Sequence, residues 1–292
     1  MNTVMLHRPL PCHLPANFCR DYENPVLKFN SFSNRASFNC RCIKNEKTSA
    51  SHEGFSVLTS DPQGDIGSIW SSMGFYVFSI HVPLSFGGLS AAVKILHQPV
   101  LHPQTEAFLI LAIQTLELSI VLLLLKCPGK PQYDLSDFFH AKKSSKQRSW
   151  LLASGLGFGV LLSLVFITTY FADRLMGPKE VNNPFVKEIL SSGPSSVTAC
   201  ILVYCIVTPL LEEVVYRGFL VTSLASRMNW LLAVTISSIV FSAAHFSGEN
   251  FLQLFIVGFV LGCSYCWTGN LSSSISIHSL YNALILYLTY IS

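Results

Sequence analysis

The chain has 292 residues, 50% of them hydrophobic and 12% charged, and that charged share is about half the usual one for a soluble globular protein. The net charge of +3, with its basic residues scattered among loops, gives nucleic acid no basic surface to bind. Nine cysteines without framework spacing exclude a disulfide scaffold, which leaves a polytopic membrane protein embedded in a lipid bilayer.

Residues 1–45 carry Arg8, Arg20, Lys28, Arg35 and Arg41 with Ser31, Ser33 and Ser37, and no apolar core long enough for a secretory signal. This predicts an organellar transit peptide, plastid before mitochondrion, despite Asp21 and Glu23; a disordered cytosolic tail is the alternative. The expected location is a chloroplast membrane, with the endoplasmic reticulum membrane second. Residues 46–69, with Glu46, Glu53, Asp61 and Asp65, read as a polar linker.

From Trp70 the character changes. Apolar runs at 71–93, 106–125, 149–171, 197–226, 230–247, 251–267 and 271–291 approach the roughly 20 residues that a helix needs to cross hydrocarbon. The expected fold is all-α, a polytopic membrane bundle of about seven to eight helices, with N-terminal membrane helices at 70–194 and a functional core at 195–292. The loop between the second and third runs holds Lys126, Lys130, Lys142, Lys143, Lys146 and Arg148 against Asp134 and Asp137, which places it on the cytoplasmic or stromal side. Counting crossings, the turn at Arg227-Met228-Asn229 returns to that side.

Thr208-Pro-Leu-Leu-Glu212-Glu213-Val-Val-Tyr-Arg217-Gly218 breaks the apolar pattern. An ionised group in hydrocarbon costs roughly 2.5 to 3.5 kcal/mol on insertion scales, so such groups are paired, face a polar cavity or do chemistry. Glu213 and Arg217 share a helix face at i,i+4, whereas Glu212 points about 100° away. Glu212 and His245 each lie about 16 residues, or roughly 24 Å of helix, from the turn at 227–229, so antiparallel helices bring them to one depth. His278 and Asn282, one turn apart in the last run, count to roughly 12 and 18 Å from the turn at Thr268-Gly269-Asn270, somewhat shallower. His81, alone in the first run, reads as an interhelical hydrogen-bonder.

Polar groups gather this densely nowhere else in the membrane region, and they point to a functional site. A carboxylate beside an imidazole can deprotonate water, and a second imidazole with a carboxamide can hold an oxyanion. Those are the parts of a peptide hydrolase. No serine sits in a GxSxG context, and Cys263 and Cys266 have no evident base, so a covalent nucleophile is disfavoured. The alternatives are a His2Glu zinc site on Glu212, His245 and His278 without an HExxH motif, and a non-enzymatic scaffold that keeps a buried polar network.

Glu212-Glu213-x-x-x-Arg217, Phe241-x-x-x-His245 and His278-x-x-x-Asn282, in that order, resemble the three motifs of the type 2 CAAX prenyl endopeptidase and bacteriocin-processing family, across residues 195–292. The resemblance implies a bundle of about eight helices and membrane-embedded endopeptidase activity on a lipidated or membrane-embedded protein. It implies Glu212 as general base working with His245 on water, His278 and Asn282 at the oxyanion, and Arg217 orienting the glutamates with Glu213 in support. Catalysis without a metal cofactor is the preferred reading, with zinc as the variant. Ras-converting relatives cut prenylated CaaX termini through a lateral opening. In a plastid, a membrane-protein terminus or a leader peptide fits better.

Overall fold

Local capping chemistry sets many of the helix boundaries. The structure is a computed structural model that describes residues 54–58, 65–98, 100–126, 135–139, 148–177 and 184–292. The expected transit peptide and most of the expected linker lie outside the described residues. Helix α1 (Ile66–Leu96) starts where the Asp65 carboxylate accepts from the Gly67 N–H. Pro103 opens α2 (Pro103–Leu125) behind the His102 cap, and the Ser149 hydroxyl caps α3 (Trp150–Met176). The short α4 (Pro184–Ser191) follows, then α5 (Pro194–Ala225), again with proline at its first turn. Asn229 caps α6 (Trp230–Ala244); α7 (Phe251–Thr268) ends on Gly269 at φ 62°; Asn270 caps α8 (Leu271–Ile291). The left-handed glycine allows the abrupt reversal between α7 and α8.

The described residues thus form a polytopic helical bundle, without strands. Of these helices, α1, α2, α3, α5 and α7 are long and apolar enough to cross a membrane. Helix α4 was not expected; its eight residues lie in the loop between the third and fourth apolar runs. Helix α6 has only 15 residues, and α8, rich in serine and carrying His278 and Asn282, is not among the five. The helices that bring histidine to the site are therefore the ones least fitted to stand alone in lipid.

Lipid tails are as apolar as leucine, so close packing and hydrogen bonds hold such a bundle together. Helix α7 lies against α6 at its glycines: a Cβ on Gly262 would sit 2.7 Å from Val234 Cγ1, and one on Gly258 3.2 Å from the Ser238 Cα. Ser237 on α6 donates to the Tyr216 carbonyl of α5 at 3.0 Å. Helix α3 packs on α7 and α8 through Leu161, Leu261 and Ile277, and turns Leu151, Leu156 and Phe166 outward. The end of the bundle that bears the 227–229 turn also gathers Arg148, which donates to the Trp267, Gly54 and Phe55 carbonyls, and Phe55, which stacks on Trp230 at 4.5 Å. The helix ends at Arg148 and at the 227–229 turn, expected on one side, are on one side.

Two stretches of α5, Val203–Val207 and Val214–Val221, wind as wider i→i+5 turns, as do Val77–His81 and Pro83–Gly87 in α1. Such turns are uncommon and recur at functional sites. A wider turn holds more residues per unit length, so Glu212 lies shallower than a count at 1.5 Å per residue suggests.

Candidate active site

Glu212 and Glu213 are consecutive on α5, and the helix turns them to different surroundings. Glu213 is fully buried. Its Oε1 accepts from Arg217 Nη1 and from His278 Nδ1, each at 2.8 Å. Arg217, also buried, donates its second terminal nitrogen to the Gly258 carbonyl at 3.1 Å and lies 4.7 Å from the centre of the Phe241 ring. The guanidinium is neutralised by one helix, hydrogen-bonded by another and faced by an aromatic ring on a third, which is what a buried cation requires. The absence of a Cβ on Gly258 keeps α7 close to α6, where its carbonyl meets Arg217.

Glu212 turns to the two imidazoles. His245 Nε2 lies 3.8 Å from its Oε1, and His278 Nε2 lies 3.6 Å from its Oε2. Both rings are held from behind. His245 Nδ1 is 2.8 Å from the Phe241 carbonyl oxygen, which can only accept, so Nδ1 carries the hydrogen. His278 Nδ1 likewise donates to the Glu213 carboxylate. Each Nε2 is thereby aimed at Glu212, at a separation beyond a direct hydrogen bond. The His245 side chain is 31% exposed and that of Glu212 10%, whereas His278 and Arg217 are closed off, so the chamber opens on the His245 side.

Five of the six expected residues therefore meet. Asn282 is one turn beyond His278 and donates through Nδ2 to the Tyr204 carbonyl of α5 at 2.9 Å, which leaves its second amide hydrogen uncommitted to that bond. Beside Tyr204 lies a cleft of about 300 Å³ between α1, α2, α4 and α5, lined by Leu84, Ile110, Phe185, Val203, Tyr204 and Thr208 among others. Thr208 is one turn before Glu212.

Residues 194–284 match the family model for the type II CAAX prenyl endopeptidase, Rce1-like. The matched stretch begins at the first residue of α5 and contains all six candidates. The chain is also similar to the "Membrane-embedded CAAX protease MroQ" of Staphylococcus aureus (strain USA300), 26% identical over 136 residues, covering 44% of this chain and 54% of that protein. A second relative is the "Putative membrane peptidase YdiL" of Bacillus subtilis (strain 168), 26% identical over 110 residues, 38% of this chain and 43% of that protein. The chain spans about half the length of the curated relatives it matches. No solved structure matches it.

The stretch that matches the family model leaves out a second polar group that sequence reasoning also missed. Glu117, in mid-α2, is fully buried and accepts from the Tyr76 hydroxyl and from His81 Nδ1, each at 2.8 Å. His81 does bond across helices, as expected of it. The available signal was Glu117 itself, an acid in the middle of a spanning run, which by default marks a functional position.

Proposed function

We propose that this chain is an intramembrane endopeptidase that hydrolyses a peptide bond near the terminus of a membrane-embedded or lipidated protein. The observation that carries the reading is the placement of two imidazole Nε2 atoms across the two oxygens of one carboxylate, Glu212, in a chamber open on one side. A water seated between Glu212 and His245 would give its proton to Glu212 as its oxygen attacks the scissile carbonyl. His278, with a hydrogen on each ring nitrogen, and the spare amide hydrogen of Asn282 would hold the resulting oxyanion, a contribution of about 3 to 4 kcal/mol for a well-placed donor. The proton on Glu212 then passes to the departing amine. Glu213 fixes His278, and Arg217 fixes Glu213. The cleft beside Thr208 suits an apolar part of the substrate reaching the site from the lipid.

The decisive experiment compares membrane-protein termini by mass spectrometry with wild type and with Glu212→Gln. New termini that depend on Glu212 support the reading; identical profiles from two stably expressed proteins would sink it.

A zinc-dependent variant has one observation in its favour. Both imidazoles tie up Nδ1 and direct Nε2 inward, the arrangement common to zinc-binding histidines. Among the described residues, however, no group of three His, Cys, Asp or Glu side chains is disposed to hold a metal ion as placed. Stoichiometric metal in active protein, with activity lost to chelator and restored by zinc, would favour that variant. For location, a fluorescent fusion of residues 1–60 is expected in plastids, and a diffuse cytosolic signal would reverse that expectation.

A further inference from the structure

The cleft beside Thr208 holds about 300 Å³, less than one turn of an α-helix with its side chains, which fills roughly 400 Å³ as a cylinder about 10 Å across with a pitch of about 5.4 Å. A polypeptide segment that enters it is therefore unwound, and its peptide groups lose their intrahelical partners. In hydrocarbon such groups must be paired within the protein, whereas an isoprenoid or acyl chain has none to pair. The cleft walls are mostly apolar, with Leu84, Ile110 and Ile113 among them, yet Ser85 of α1 and Gln114 of α2 also stand in the lining. Gln114 Nε2 donates to the Ser85 hydroxyl at 3.5 Å, and that hydroxyl donates to Oε2 of the buried Glu117 at 3.4 Å. Tyr76 and His81 hold the other oxygen of Glu117 at 2.8 Å each. Ser85 lies in the wide turn Pro83–Gly87, and the next residue, Phe86, packs its ring edge-on against Phe246 at 5.3 Å. Phe246 follows His245 and sits at φ 50°, a conformation costly for a bulky side chain. One wide turn of α1 thus lines the cleft and bears on the residue after His245.

A carboxamide offers two N–H donors and a carbonyl acceptor. With one N–H turned to Ser85, Gln114 keeps one donor and one acceptor beyond that bond, the complement of a peptide unit with its one C=O and one N–H. We propose that Gln114 is a specificity-determining residue: it pairs with a main-chain amide of an unwound polypeptide segment in this cleft, and Ser85 and Glu117 are the positioning residues that aim it. The occupant is a stretch of membrane-embedded polypeptide with apolar side chains, not a lipid chain. Glu117 accepts only, so it takes the single Ser85 hydrogen and leaves the hydroxyl oxygen to accept from Gln114. That gives an acid in mid-membrane, where a charge is costly, a task beyond holding helices together. The cutting of the bound segment rests on the function proposed above, whereas its binding does not. None of Ser85, Gln114 and Glu117 lies in the stretch that matches the family model.

The test is photocrosslinking of the full chain in lipid nanodiscs, with the crosslinked residues located by mass spectrometry. Two probes are compared, an acetylated tetraleucine amide and farnesol, each carrying one diazirine, on wild type, Gln114→Leu and Ser85→Ala. The expected result is peptide crosslinks at cleft residues such as Leu84 and Ile110 in wild type, reduced about tenfold in Gln114→Leu, the order for one lost hydrogen bond, and less strongly in Ser85→Ala. Farnesol labelling of the cleft is expected to be weaker than peptide labelling in wild type and undiminished in Gln114→Leu. Leucine continues the apolar run of α2, and Ser85→Ala unties Gln114 without adding bulk, so a folded variant is available to read. Peptide labelling equal to wild type in a folded variant overturns the proposal, as do peptide crosslinks that miss the cleft and farnesol that outcompetes the peptide there. Where the wild type cleaves a peptide, KM in Gln114→Leu is expected to rise about tenfold with kcat little changed, the mark of lost ground-state binding. Cleft labelling that depends on Gln114 without any cleavage by wild type would remove the endopeptidase reading and leave the cleft assignment intact.

Discussion

Glu117 and Glu212 are both buried and both face histidine, and they do so at different distances. Glu117 and His81 are in contact at 2.8 Å, with Tyr76 on the same oxygen. Glu212 and its two histidines stand 3.6 and 3.8 Å apart. The first group spends its hydrogen-bonding capacity on the fold. The second holds its members rigidly from behind and leaves their facing atoms unbonded to one another, so that a reacting molecule can enter between them. On the function proposed above, contact makes a strut and separation makes a site.

The comparison can be broken most sharply at Glu212. Glu212→Gln is expected to lower cleavage by about 10²- to 10⁴-fold, the range for loss of a general base. Because no hydrogen bond ties Glu212 to either ring, its melting temperature should be unchanged or slightly raised, since a partly desolvated charge has gone. A large loss of stability would mean that Glu212 belongs with the struts. Arg217→Met tests the holding side of the same site: Glu213 would lose its cation, and breaking a buried pair from one side costs about 3 to 5 kcal/mol. Denaturation in detergent would show this as a marked drop in Tm; an unaltered Tm would mean that Glu213 does not depend on Arg217. Tyr76→Phe sharpens the other half. It removes one hydrogen bond to a buried carboxylate, a loss of about 1.5 to 3 kcal/mol, with only a secondary effect on turnover. A kcat effect as large as that of Glu212→Gln would move Tyr76 into the chemistry.

The membrane class and most of the helices could be read from apolar runs, because spanning length is set by hydrocarbon thickness rather than by tertiary detail. Glu212, Glu213, Arg217, His245 and His278 were legible because charges in such runs are expensive and these recur at helical spacing. The mirror placement of Glu212 and His245 about the 227–229 turn also matches their 3.8 Å approach. The closeness of His278 to Glu212 was not legible, since the two are counted from different turns and Val214–Val221 does not keep the α-helical rise. Nor was the partner of Asn282: the Tyr204 carbonyl is a backbone atom on another helix, 78 positions away in the chain, and no side-chain pattern announces it. Glu117 was overlooked because its partners sit on α1, and nothing in periodicity says which helices will be neighbours. Helix α4 escaped notice because its eight residues are too few to stand out as an apolar run.

Phe246 gives the bundle an asymmetry. Its left-handed backbone, with Phe86 against its ring, forms the doorpost on which the half-open wall of the chamber hangs, while Glu212 and His278 belong to the masonry of α5 and α8. The ring of Phe86 thus bears on the residue that follows His245, whereas Glu212 sits on α5. Grafting residues 194–284 onto a foreign N-terminal half would take Phe86 away and leave that doorpost without its brace.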